Sequence, residues 1–288
     1  MARMPWHAGW VLLALVSWGS AWAQGSPDPG QPVKVAERAE YRPSKIPDLT
    51  PKPGEHPFAP AVRWAQQGLK HLEQIQDYSC VLIKRERIGG KLQDYQYMYL
   101  KVRHRPFSVY MYFLAPKDVK GQEVIYVDGQ NGGNLLAHGT GVRHTLFGTV
   151  SLKPTGMLAM NGNRYPITEV GILNLTRRLL EVGTMDMQRG EAQFQWFRGA
   201  RVNNRRCVCM QFVHPTPREY FRFHIARVFV DEELNLPIRY ESYSWPTTPG
   251  GKPVLLEEYT YTNLKLNNGF RDIDFDVNNP NYNFKKRR

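Results

Sequence analysis

Two neighbouring stretches, "YQYMYLKV" and "FSVYMYFL", constrain this chain more than any other part of it. In a strand, side chains alternate between faces. Tyr95, Tyr97, Tyr99 and Lys101 therefore share one side, and Gln96, Met98, Leu100 and Val102 share the other. In the second stretch Val109, Met111 and Phe113 oppose Ser108, Tyr110, Tyr112 and Leu114. Neither face is plainly a solvent face. A curved sheet with one side filled by helices and the other aromatic and partly wet satisfies both patterns.

The same alternation continues along the chain, with turns where glycine and asparagine fall. Strands are expected over 80–87, 93–102, 107–114, 123–127 and 135–138, then over 192–199, 206–213 and 255–266. Between the last two lies a hairpin, "ARVFVDEELNLPIRYESYSW", apolar on both sides of an acidic turn. Two helices interrupt the strands. The first carries an apolar stripe at Val62, Ala65, Leu69, Leu72 and Ile75. The second carries one at Ile172, Leu175, Leu179, Val182 and Met185, with Thr168 as its expected N-cap. The class is α+β: a long antiparallel meander with helices gathered on one face.

The N-terminus has a different character. Arg3, the apolar run from Gly9 to Trp18 and Ala21-Trp22-Ala23 form a leader pattern, so residues 1–23 are expected to direct export to the cell envelope or periplasm with cleavage after Ala23, a retained membrane anchor being the rival reading. Nine of the 21 prolines fall between Gln24 and Pro60, among balanced charges, and this segment is expected to be a flexible arm before a domain at 61–284. The chain carries 38 Lys and Arg against 26 Asp and Glu, a net charge of +12, of which four charges sit in the tail Lys285–Arg288. Export disfavours nucleic acid as the partner and leaves a solvated basic surface or contact with an anionic membrane.

Chemistry-bearing residues are sparse. Three cysteines, Cys80, Cys207 and Cys209, are too few for a four-cysteine zinc site; one disulfide or buried free thiols both fit them. His138, His144, His214 and His224 have no metal-ligand spacing and no triad pattern. Asp272, Asp274 and Asp276 alternate with Ile273, Phe275 and Val277, lack the glycine and distal glutamate of a calcium loop, and suggest a solvated edge strand. No cofactor, metal or catalytic set is expected.

Residues 84–138 ("KRERIGGKLQDYQYMYLKV…NLLAH") and "GNRYPITEVGILNLTRRLLE" resemble the signature blocks of a bacterial family, domain of unknown function 1571. More distantly, Arg105-Pro106, the strand to Pro116 and the strand closed by Asp128-Gly129 are similar to the LolA/LolB lipoprotein-carrier pattern. "DEELNLPIRYESYS" and "FRDIDF" extend that similarity towards the C-terminus, whereas Lys117–Gln122 and residues 139–163 depart from it. The resemblance implies an unclosed antiparallel half-barrel, LolA-like, with helices covering its concave face over an apolar cavity. It places Arg105 at a lid-holding position and Met98, Leu100, Val109, Met111 and Phe113 on the ligand-lining face. It implies a monomeric, non-enzymatic carrier of a lipid or lipidated protein. Two alternatives remain: a sensor module like RseB, which would bind a partner through the aromatic face of Tyr97, Tyr99, Tyr110 and Tyr112, and an envelope hydrolase with a His-centred site.

Overall fold

The computed structural model describes residues 41–140 and 148–284. The leader, the first part of the arm, His144 and the basic tail lie outside the described residues. Helix α1 (Ala59–Leu72) leads into strands β1 (Asp77–Ile88), β2 (Lys91–Leu92), β3 (Gln96–His104), β4 (Phe107–Ala115), β5 (Glu123–Val127), β6 (Leu135–His138) and β7 (Thr149–Leu152). A single turn α2 (Met157–Met160) and the long helix α3 (Ile172–Met187) follow. The chain then forms β8 (Gln193–Val202), β9 (Arg205–Val213), β10 (Ile225–Asp231), β11 (Pro237–Ser244) and β12 (Val254–Leu266).

All strand pairs are antiparallel, and the order is β7-β6-β5-β4-β3-β1-β12-β11-β10-β9-β8, with β2 appended to β1. The sheet is open, with β7 and β8 at its edges. It differs from one continuous meander. The chain builds outward from β1 to β7, crosses by α2 and α3 to the far edge, and builds back inward until β12 pairs with β1.

The inner face is the one under the helices. Tyr78, Cys80 and Leu82 of β1 and Met98, Leu100 and Val102 of β3 form a core with Met111, Tyr261 and Ile172, and α1 presses Ala61, Trp64 and Ala65 onto Val208, Met210, Val228 and Val230. The buried stripe of α1 is Ala61, Trp64, Ala65, Gly68 and Leu72, one residue round from the expected one, because α1 has two neighbours. Its Val62 meets α3, where a Cβ on Gly183 would lie 3.1 Å from Val62 Cγ2. Helix α3 starts from Gly171, not from a Thr168 cap. Gly171 has φ +112°, and a Cβ there would come 2.7 Å from the Tyr78 hydroxyl. That hydroxyl accepts the N–H of Ile172 at 2.9 Å, so a residue buried in the sheet supplies the acceptor that the first turn of α3 lacks.

Two expectations are corrected. The proline-rich segment is not free over its described part. Leu49 and Phe58 are each 1 % exposed, the Tyr41 hydroxyl donates to the Leu234 carbonyl at 2.7 Å, and the Asn235 side-chain amide donates to Ser44 at 3.0 Å. Asp272–Phe275 is a 3-10 turn and not an edge strand. The Asp77 carboxylate accepts the N–H groups of Asn268, Gly269 and Phe270 at 2.6, 3.1 and 3.0 Å, which reverses the chain after β12 and lays it across the outer face of β3, β4 and β5.

Cys80, Cys207 and Cys209 are all free and buried. Burial pushes the Cys207 and Cys209 thiols up to about 11 and Cys80 higher still. The native protein should therefore resist iodoacetamide at mildly alkaline pH and take up three labels once denatured, as intact-mass measurement would show. Gly171→Ala should cost at least about 2 kcal/mol, through a backbone conformation closed to alanine and displacement of the Tyr78 hydroxyl, read as a lower denaturant midpoint at unchanged slope.

Candidate functional site

Between the inner face and the helices lies a cavity of about 1000 Å³, at the upper end of the range for small-ligand sites. Its sheet wall includes Leu82, Met98, Met111, Phe113 and Val124, and its helical wall Leu175, Leu179 and Val182. The stripe read from the sequence of α3 thus faces space over part of its length, whereas its fully buried positions, Ile172, Thr176 and Gly183, pack against sheet and α1.

Of the six residues expected to meet a ligand, Met98, Met111 and Phe113 line the cavity. Leu100 and Val109 are on the same face but closed off from it, fully buried in contact with other side chains. Arg105 sits in the exposed turn between β3 and β4 and does not reach the cavity. The register Leu100↔Met111 and Met98↔Phe113 puts all four side chains on one face, and of these only Leu100 is closed off from the void.

The other end of the cavity wall is polar and went unrecognised in the sequence. Glu86 of β1 and Glu257 of β12 are direct cross-strand partners, both almost fully buried. Two like charges so placed would repel. Lys84 and Arg164 offset them, with Lys84 Nζ donating to Glu86 at 3.3 Å and Arg164 Nε to Glu257 at 2.9 Å. Tyr165 and Ser242 donate to Glu257 at 3.2 and 2.9 Å, and the Tyr259 hydroxyl lies between the two carboxylates, closer to Glu86. Burial, with Glu257 and Glu86 beside it, holds the Tyr259 phenol well above its ordinary range, so it stays a neutral donor. Burial pulls Lys84 below the usual lysine value, against the opposing pull of Glu86.

The outer face does not offer the expected aromatic surface. Tyr110 is buried and stacked on Tyr282 at 3.9 Å, and Tyr99 and Tyr112 pack against the C-terminal segment, which Lys101–Asp274 and Arg103–Asp272 ion pairs, each 2.7 Å, hold down. Tyr95 and Tyr97 stay exposed. A histidine near a carboxylate does occur: His214 Nε2 lies 3.3 Å from Asp186. Phe58, Phe221 and Phe223 pack around that ring, and no serine or cysteine is hydrogen-bonded to it among the described residues. Among the described residues no group of His, Cys, Asp and Glu is placed to hold a metal ion.

A family model described as "Protein of unknown function (DUF1571)" matches residues 75–284. No curated protein matches significantly. Among solved structures, the chain is similar to the lipoprotein LppX of Mycobacterium tuberculosis at 11 % identity and TM-score 0.43, over 76 % of this chain and 100 % of that one. It is similar to a DUF1329 family protein of Desulfovibrio piger at 11 % identity and TM-score 0.38, over 76 % and 97 %. A LolA superfamily protein of Nitrosomonas europaea follows at 12 % identity and TM-score 0.31, over 74 % and 97 %.

Removing one member of the buried network should be costly. Glu86→Leu strands Lys84 and should lower stability by about 3 kcal/mol, whereas the double variant Lys84→Met/Glu86→Leu should recover part of that loss in denaturant titrations.

Proposed function

The chain belongs to the DUF1571 family, whose function is unknown, and we propose that it is an exported, non-enzymatic binding protein that holds an apolar ligand between its open sheet and helix α3. The observation that carries this reading is the cavity of about 1000 Å³ lined by Met98, Met111, Phe113, Leu175, Leu179 and Val182. Protein interiors are normally packed to the density of organic crystals. A void of this size under an amphipathic helix leaves apolar side chains without contacts unless a ligand supplies them.

The ligand class is an acyl chain, a lipid or a lipidated protein, and the setting is the cell envelope, reached through the leader at residues 1–23. A lipoprotein or lipid carrier working as a monomer is the form of this function that fits. The sensor alternative is weaker, because residues 268–284 occupy most of the outer aromatic face. Of the six residues proposed at the outset, Met98, Met111 and Phe113 keep a ligand-contacting role, Leu100 and Val109 pack beside them on the same face, and Arg105 has none.

The test is to purify the mature chain from its native envelope under mild conditions and to identify bound molecules by mass spectrometry. Wild type should carry a specific lipid, and Met111→Glu, which places a carboxylate in the apolar wall, should carry at least about tenfold less. Wild-type protein that emerges empty under these conditions, and takes up no lipid from vesicles, overturns the reading.

A further inference from the structure

The cavity is chemically two-ended, and the hydrogen bonds already made at its polar end specify what can still be bound there. Glu257 accepts from Tyr165 and Ser242 at one oxygen and from Arg164 Nε at the other. Glu86 accepts from Lys84 and the backbone N–H of Arg164 at one oxygen, and at the other from Tyr259, whose single proton is directed to this nearer carboxylate. Every oxygen of the two carboxylates therefore already holds a donor.

The donors are less completely used. Of the three protons on Lys84, Glu86 and Asn163 take two. Of the five guanidinium N–H groups of Arg164, Glu257 takes one, the Arg87 carbonyl another, and Tyr165 engages the same guanidinium. What remains at this end is donor capacity on two cations, one of them on a side chain only 11 % exposed. Elsewhere the lining carries Arg177, Arg178 and Arg222 together with Glu169, Glu181 and Asp186, and Arg178 holds Glu181 at 2.7 Å.

A wall for a bare hydrocarbon gains nothing from two desolvated ion pairs. Resting on the reading of the cavity as an apolar-ligand site, we propose that its ligand is an amphiphile with an acidic head, a carboxylate or phosphate whose oxygens accept from Lys84 and Arg164, while the chain runs along Met98, Met111 and Phe113. Lys84 and Arg164 then determine specificity, and the apolar wall supplies affinity common to any chain of that length. Tyr259, holding the two glutamates, positions Lys84 and Arg164 without contacting the head.

Isothermal titration calorimetry of the delipidated full chain with hexadecanoate, hexadecyl phosphate, hexadecanol and hexadecyltrimethylammonium tests this directly. The acidic amphiphiles should bind about tenfold or more tighter than the alcohol, as expected for hydrogen bonds between charged groups, and the cation weakest. Arg164→Gln and Lys84→Met should each remove most of that advantage of the acidic heads over the alcohol, with thermal unfolding as the check on folding. Because Arg164 is partly exposed, its variant decides the matter if Lys84→Met folds poorly. A preference for only one of the two acidic heads supports the proposal and identifies the source of the oxygen. Equal binding of all four, or tighter binding of the cation, overturns this proposal and leaves the apolar-ligand reading standing. Failure of every amphiphile to bind overturns both.

Discussion

The hydrogen bond from the backbone of Ile172 to the buried hydroxyl of Tyr78 fixes where α3 begins, and most of the architecture follows from that point. A helix leaves its first N–H groups without partners, and α3 has no side-chain cap of its own. Tyr78 provides one acceptor from the middle of the sheet and anchors the helix from below. A buried phenol without a partner would be costly, so each side of the contact holds the other in place. From this anchor α3 runs over the sheet with its small positions, Thr176 and Gly183, against α1, and with Leu175, Leu179 and Val182 over the cavity.

The seam between β1 and β12 is the second constraint. It joins two meanders that are otherwise separate, and it brings Glu86 opposite Glu257 across most of the length of the described chain. Such a pairing carries a large loop-closure entropy, since the connecting chain must be closed before any bond rewards it. Its like charges are tolerated only because Lys84, from the same strand, and Arg164, from the segment before α3, arrive at the same place. The polar end of the cavity is thus assembled from three distant parts of the chain, and none of the parts has this character alone.

That dispersal explains which features could be read from the sequence. Alternation located most strands, because period two survives in any half-buried sheet. It also contains the opposite orientations of Glu257 and Glu258, which point to the inner and outer faces, but nothing local indicates that Arg164 comes to meet one of them. The cavity was expected from resemblance and not from pattern: a stripe such as Leu175, Leu179 and Val182 has the same spacing whether it meets side chains or space. Composition misjudged the segment before α1. Prolines and balanced charges describe a chain that cannot make its own core, yet Leu49 and Phe58 need only a wall supplied by others, and extended proline-rich backbone reaches it without a ladder of hydrogen bonds. The acidic C-terminal alternation likewise has strand spacing, but Asp272 and Asp274 are used by Arg103 and Lys101 as ion-pair partners across the outer face.

The turn built on Asp77 couples the first strand to residues almost two hundred positions further along the chain. Until residues 254–284 have been made, β1 lacks its central partner and the tyrosines of β3 and β4 lack their cover. An unpaired strand beside an uncovered aromatic face is an aggregation-prone surface, and it persists for most of synthesis. That exposure ends when the N–H groups of Asn268, Gly269 and Phe270 reach a single carboxylate and draw the covering segment into place.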